Sequence, residues 1–307
     1  MFAYYFDLAL RSFRRNKVLT ALMVLAIALG IGASMTTLTV FHILAGDPIP
    51  QKSDKLFYPR IEPRSMRGYT PGEEPSEQMT RFDAQALLRE KRGDRQALMT
   101  GGNIPVEAAD AKLQPFSVDA RYTTADFFPM FAAPFRHGTG WSAADDEARS
   151  KVAVISRALN EKLFGGGNSV GKTLLAGNNH FRIVGVLDEW RPTPKFYDLT
   201  NDRFAEVEQI FVPFSTSRVL KLGTQGSMDC WDDTNDEEGS LGVNAACTWL
   251  QYWVELGSAD KVRAYHQYLE NYSNLQHAAG RFERPTNVRL HSVMEWLERF
   301  SSPSLML

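Results

Sequence analysis

Histidine and cysteine are scarce in this sequence, and their placement excludes the simplest metal and thiol chemistries. The 307 residues include six histidines and two cysteines. No two histidines form an H-x-H or H-x-x-x-H pair, so no local metal site is predicted. We assign no serine or cysteine to a nucleophile context. We therefore predict no catalytic residue, no cofactor and no metal, and a protein that is not an enzyme.

An excess of positive charge is also missing. The formal net charge is −2, and no run of lysine or arginine follows the first seventeen residues. Binding to nucleic acid depends on such basic patches, so we predict no nucleic-acid partner. The hydrophobic fraction of 44% with 23% charged residues is that of a folded protein.

One segment contains no Asp, Glu, Lys or Arg at all. It extends from Val18 to Gly46 and predicts a membrane-spanning helix over residues 18–46. A secretory signal has a shorter apolar region of about 7–15 residues, which favours a retained anchor. The "ILAG" sequence at its end leaves cleavage by a signal peptidase open as the alternative.

The charges beside this segment predict its orientation. Arg11, Arg14, Arg15 and Lys17 precede it, and residues 1–17 also group apolar side chains on one helical face. By the positive-inside tendency, residues 1–17 form a cytoplasmic amphipathic basic segment that contacts membrane lipid. Residues 47–307 then form the periplasmic domain of a single-pass protein in the inner membrane.

Small residues recur within the apolar segment. Ala26, Gly30 and Ser34 follow one another at intervals of four, which places them on one helical face. Such a stripe permits close approach of a second helix. We predict a helix-packing surface there, although small residues are also common in membrane helices generally.

The segment from Gly166 to Thr173 matches G-x-x-x-x-G-K-[ST], the phosphate-binding loop pattern. A working loop of this type follows a strand and begins a helix. Here residues 156–164 have helical spacing, and two β-rich runs follow from Thr173 around Gly177. We predict a helix, a structural turn and a hairpin, with no nucleotide site.

The two cysteines, Cys230 and Cys247, are both periplasmic if the predicted topology holds. Thiols in that compartment are oxidised, so we predict a disulfide over the alternative of two free buried thiols. The acidic "DDTNDEE" sequence between them lacks the spacing of a calcium loop and predicts a solvated charged loop.

Strand-like and helical segments alternate after residue 47, which predicts an α+β domain of two lobes. Residues 96–102 and 104–109 are interpreted as two short strands. Residues 248–256 ("TWLQYWVEL") allow a half-buried strand.

Three stretches together resemble a known family. They are "LALRSFRRNKVLTALMVLAIALGIGASM", "VDARYTTADFFPMFAAPFRHGTGWS" and "VAVISRALNEKLFGGGNSVGKTLLAGNNHFRIVGVLDEW". The ordered set is similar to MacB-type (FtsX-like) ABC-transporter permeases, in which an "NPIGK"-like turn lies between a helix and a hairpin. Asn168, Gly171 and Lys172 occupy that structural turn here.

The resemblance implies a non-catalytic permease subunit of an ABC exporter. Its expected partners are an ABC ATPase subunit, a further permease subunit and a periplasmic adaptor protein. Family members continue into three further membrane helices, so we expect either a truncated chain or one that pairs with a fuller subunit. The alternative function is a membrane-anchored extracytoplasmic binding or scaffold protein that is not coupled to ATP.

Overall fold

The computed structural model describes residues 17–107, 114–201, 205–232 and 236–301. Contacts divide the chain into two units, Met1–Gly46 and Asp47–Leu307. The predicted topology residues Arg11, Arg14 and Arg15 lie outside the described residues, and Lys17 is the first one inside.

The described part of the first unit, residues 17–46, contains the helix α1 (Lys17–Ala45). Its segment Lys17–Thr39 has a mean hydropathy of 2.3 and is long and apolar enough to cross a membrane. The Thr36 and Thr37 hydroxyls donate hydrogen bonds to the carbonyls one turn earlier, at 2.8 and 2.9 Å. These polar groups are therefore satisfied within the helix, as a lipid environment requires.

The second unit is a mixed α/β domain built around a large sheet, which confirms the predicted α+β class. Its helices are α2 (Arg81–Glu90), α3 (Phe127–Met130), α4 (Ala143–Ala148), α5 (Arg157–Phe164), α6 (Phe214–Val219), α7 (Ala259–Ala278) and α8 (Val293–Ser301). Its strands are β1 (Leu56–Arg60), β2 (Met79–Thr80), β3 (Arg95–Glu107), β4 (Phe116–Thr123), β5 (Phe135–Gly138), β6 (Val152–Ile155), β7 (Thr173–Ala176), β8 (Asn179–Leu187), β9 (Ile210–Pro213), β10 (Thr224–Gln225), β11 (Asp229–Cys230), β12 (Cys247–Glu255) and β13 (Arg289–Ser292).

Nine of the described strands form one hydrogen-bonded path in the order β13-β1-β12-β3-β4-β9-β6-β8-β5, and β2, β7, β10 and β11 pair with strands of this path. Most pairs are antiparallel, and β4–β9 and β6–β8 are parallel. The first and last strands of the unit, β1 and β13, are paired from Phe57 opposite Ser292 to Arg60 opposite Arg289. Because the path is continuous, the division of residues 47–307 into two lobes stays a prediction.

The sheet carries a hydrophobic cluster on each face. On β3, Leu98 belongs to one cluster, whereas Ala97 and Met99 belong to the other. On β12, Tyr252 and Trp253 alternate in the same way. This alternation follows from the two-residue period of a strand.

The prediction of a half-buried strand at residues 248–256 is wrong. All nine residues of β12 are buried. The strand lies inside the sheet between β1 and β3, and each of its faces is covered by a hydrophobic cluster. A continuous apolar sequence is typical of a strand buried on both faces.

Residues 96–102 and 104–109 were expected to be separate strands, but β3 is a single strand of 13 residues. Its two central glycines allow close packing on both faces. A Cβ on Gly101 would lie 2.7 Å from the Gln225 carbonyl oxygen, and one on Gly102 would lie 2.5 Å from the Tyr122 ring. These glycines therefore mark close contacts and do not end the strand.

Candidate functional site

The Gly166–Thr173 segment is a turn between a helix and a strand. Helix α5 ends at Phe164, and β7 begins at Thr173. The amide of Gly171 donates to the Ile183 carbonyl at 2.8 Å, and that of Lys172 donates to the Ser169 carbonyl at 3.0 Å. These amides are committed to the fold and do not converge on a phosphate position.

The predicted turn residues have structural contacts. The Asn168 Oδ1 accepts a hydrogen bond from the Val170 amide at 3.0 Å. Gly171 has a φ of 87°, which favours glycine, and the Lys172 ammonium lies 5.2 Å from the centre of the Phe164 ring. These contacts shape the turn and leave Lys172 beside an aromatic ring.

Cys230 and Cys247 are joined by a disulfide with an S–S distance of 2.04 Å. The two residues also face each other across the β11–β12 pair. In the loop between them, the Asp236 carboxylate accepts hydrogen bonds from the amides of Glu238 at 3.0 Å and Asn244 at 3.1 Å. These bonds lower the pKa of Asp236, and they connect Asp236 to two other positions in the loop.

A buried group of charged residues lies on the sheet face that carries Met99 and Trp253. Arg121 projects from β4 and is 1% exposed. Its Nη2 donates to the Asp198 Oδ2 at 2.5 Å and also to the Glu208 carboxylate. The Lys195 Nζ donates to Glu208 Oε1 at 3.1 Å, and the Tyr197 hydroxyl donates to Glu208 Oε2 at 2.9 Å. We call Arg121, Lys195, Asp198 and Glu208 the buried charge cluster.

Local structure fixes the members of this cluster. The short 3₁₀ helix Phe196–Asp198 carries Tyr197 and Asp198, and the Trp253 indole donates to the Tyr197 carbonyl at 3.1 Å. The amide of Gln209, next to Glu208, donates to the Asp119 carbonyl at 2.9 Å beside the β4–β9 pair. The Trp253 side chain and the sheet therefore hold Asp198 and Glu208 in place.

The ionised state of the cluster follows from its pairing. Burial alone raises the pKa of Glu208, but the charges of Arg121 and Lys195 outweigh it and lower the pKa to about 2. Burial works against the charged form of Arg121, but Glu208 and Asp198 raise its pKa above the usual value. The cluster thus holds two cations and two carboxylates that balance each other.

A cavity of about 510 Å³ opens beside the buried charge cluster. The described residues that line it are Gly101, Gly102, Asp119, Ala120, Arg121, Lys195, Asp198, Thr200, Asn201, Ala205, Glu206, Glu208, Gln225, Gly226 and Ser227. The sequence interpretation missed both cluster and cavity. A charged residue within the strand-forming segment "FSVDARYT" was the available signal, because buried strands rarely carry an unpaired arginine.

In the part of the chain that the structure describes, no group of three or more His, Cys, Asp or Glu side chains could hold a metal ion. The buried charge cluster and its cavity are suited to binding a polar molecule, because the charged side chains are paired with one another and lie beside the cavity.

Comparison with known proteins identifies the family. The model of the MacB-like periplasmic core domain matches residues 20–272. The chain belongs to this family. The match includes part of α1, the buried charge cluster and the disulfide, so the MacB-like assignment applies to most of the described fold.

Curated relatives match parts of the chain. The pyoverdine export ATP-binding/permease protein PvdT of Pseudomonas entomophila is 32% identical over 126 residues, which are 40% of this chain and 18% of that protein. The macrolide export ATP-binding/permease protein MacB of Azoarcus sp. is 26% identical over 220 residues, which are 70% of this chain and 31% of that protein. The chain thus spans less than a third of the length of either relative.

A solved structure shares the MacB-like fold. The periplasmic region of MacB from Actinobacillus actinomycetemcomitans has a TM-score of 0.50 at 11% identity, and the match covers 84% of this chain and 98% of that one. A permease-protein domain from Porphyromonas gingivalis has a TM-score of 0.51 at 14% identity, with coverage of 78% and 90%. At these identities the likeness concerns the fold alone.

Proposed function

We propose that this chain is a permease subunit of an ABC exporter, whose external domain couples ATP-driven motion of membrane helices to export or release of a substrate. The observation that carries the proposal is the match of one family model to residues 20–272, which joins the apolar helix to the sheet domain. The proposal assigns ATP hydrolysis to a partner subunit and no catalytic residue to this chain.

The proposed topology places residues 47–307 in the periplasm and the amino end, with Arg11, Arg14, Arg15 and Lys17, in the cytoplasm. Cys230 is exposed and Cys247 is buried, so a thiol reagent has one accessible target after reduction. In intact cells with a permeabilised outer membrane, we expect a membrane-impermeant maleimide to label Cys230 only after reductant treatment. Labelling that requires lysis of the inner membrane would contradict this orientation.

A second helix is the proposed partner of the stripe formed by Ala26, Gly30 and Ser34. All three lie on the exposed surface of α1, and a Cβ on Gly30 meets no atom within 4 Å. Gly32 is equally open, but it lies about 200° around the helix from Gly30. This pair offers a matched test.

The test is affinity purification of the tagged chain from native membranes after cross-linking, with mass spectrometry of its partners. We expect an ABC ATPase, a further permease subunit and a periplasmic adaptor protein in the wild-type sample. Gly30→Leu should reduce recovery of the permease subunit at least five-fold, whereas Gly32→Leu should not. Purification without any ATPase would favour the anchored binding or scaffold function over transport.

A further inference from the structure

His291 on β13 lies against a buried arginine of the neighbouring strand. Its Nε2 atom is 3.4 Å from the Nη1 atom of Arg60, which belongs to β1 and is 1% exposed. An arginine only donates hydrogen bonds, so Nε2 accepts from Arg60 only when it carries no proton. The contact therefore selects the neutral form of His291, with its proton on Nδ1.

Three arginines beside this histidine share two glutamates. The carboxylate of Glu74 lies 2.8 Å from Arg60, 3.2 Å from Arg289 and 3.6 Å from Arg299. Glu77 pairs with Arg299 at 3.2 Å. A proton on the imidazole would therefore add a fourth positive charge to a cluster whose carboxylates are already engaged.

Helix α8 begins directly after β13 and packs against the same histidine. The ring centre of Trp296 lies 5.9 Å from that of His291, and the indole stacks on Tyr58 of β1 at 4.1 Å. Burial raises the pKa of Tyr58, so this neighbour stays uncharged. The Glu295 carboxylate accepts from the amide of Ser292 at 2.8 Å and from its hydroxyl at 2.9 Å, so it is committed to the start of the helix.

These surroundings weaken proton binding by the packed histidine. Burial and the charges of Arg60 and Arg299 lower the pKa of His291, and Glu295 and Glu74 raise it by less, so that it falls to about 4. A released histidine has a pKa of about 6.5. The packed state is therefore fully favoured above about pH 6.5, and it loses stability as the pH falls towards 4.

We propose that His291 is an acid-sensitive latch, whose protonation breaks the contact with Arg60 and releases α8 from β1. An imidazolium would direct an N–H group at the Arg60 guanidinium, and the two cations separate when the junction of β13 and α8 moves away. The stack of Trp296 on Tyr58 is then lost. Because β13 is at the edge of the sheet path, the pairing of β12 with β3 remains intact.

Hydrogen exchange of the full chain in detergent, measured by mass spectrometry at pH 7 and pH 5, tests this latch. Protection is corrected for the intrinsic exchange rate at each pH, and peptides from α8 and from β12 are compared in the same sample. A pKa of about 4 in the packed state and about 6.5 in the released state predicts an about 20-fold loss of protection in α8. Protection of β12 should not change. An equal loss in both peptides, or no loss in α8, would overturn the proposal.

Two substitutions assign the effect to one histidine. His291→Gln removes the titrating ring and keeps a side-chain oxygen that can accept from Arg60. His266→Gln changes a histidine on α7 whose side chain is 44% exposed. We expect α8 to keep equal protection at both pH values in His291→Gln and to lose it in His266→Gln as in wild type.

A loss of α8 protection in acid that persists in His291→Gln would assign the effect to other groups and overturn the proposal. The latch goes beyond the exporter function, and its measurement requires no ATPase. Absence of an ATPase from the purified sample and absence of acid-dependent exchange are therefore separate outcomes.

Discussion

Replacement of Glu208 by glutamine tests how far the buried charge cluster stabilises the fold. Glu208 is 3% exposed, and its carboxylate accepts hydrogen bonds from Arg121, Lys195 and Tyr197. Glu208→Gln keeps the size of the side chain but leaves two buried cations with Asp198 as their only cluster carboxylate. Breaking a buried ion pair in this way costs about 3–5 kcal/mol.

The pKa of Glu208 gives a second estimate of the same quantity and predicts its pH dependence. A folded-state pKa of about 2 against about 4.3 in an unfolded chain corresponds to about 3 kcal/mol of stability. Because the folded pKa is the lower one, this contribution is complete above about pH 5. It falls to about 1.4 kcal/mol at pH 3 and is nearly lost as the pH passes through 2.

The assay is urea unfolding of the purified chain in detergent, followed by tryptophan fluorescence, for wild type and Glu208→Gln at pH 7 and pH 3. We expect the difference in unfolding free energy to shrink by about half between the two pH values. Glu161→Gln, which removes a 53% exposed partner of Arg157, should change neither value measurably. A Glu208→Gln variant as stable as wild type at pH 7, or a difference independent of pH, would refute the reasoning.

Three further predictions concern the disulfide, the last helix and the turn. Cys230→Ser should lower the unfolding free energy by about 3 kcal/mol, because the bridge spans 17 residues, and excess reductant should remove this difference from wild type. Trp296→Ala should cost about 3–5 kcal/mol in urea unfolding, because the indole is 1% exposed and stacks on Tyr58 at 4.1 Å, whereas Leu275→Ala, at a 68% exposed position, should cost almost nothing. Lys172→Ala and wild type should both fail to bind a fluorescent ATP analogue in a polarisation titration, and saturable binding by either would contradict the structural interpretation of the turn.

The parts of the fold that local patterns specify were predictable from the sequence. The helix predicted over residues 156–164 and the hairpin around Gly177 follow from apolar spacing and turn residues; the structure confirms both, with the helix at Arg157–Phe164. The apolar length of α1 likewise predicts one long helix. Each of these features depends on neighbours within about ten residues.

The parts that depend on distant contacts were not predictable in this way. Gly101 and Gly102 resemble a strand end, and only their contacts with Gln225 and Tyr122 show why the strand continues. Arg121 is separated from Glu208 by 87 residues, so no local pattern pairs them. Helix α8 was missed because its amphipathic run is short.

The pairing of β1 with β13 determines how mechanical force would pass through the sheet domain. Since Phe57 lies opposite Ser292, the segment that precedes β1 and the helix α8 that follows β13 adjoin the same end of this strand pair. Tension that separates these two segments would act on one end of the β1–β13 pair. The hydrogen bonds between the two strands would then break one after another. The central strands would bear little of that tension. Small movements of the flanking segments would therefore detach only β13, the edge strand, from β1 and leave the rest of the sheet unchanged.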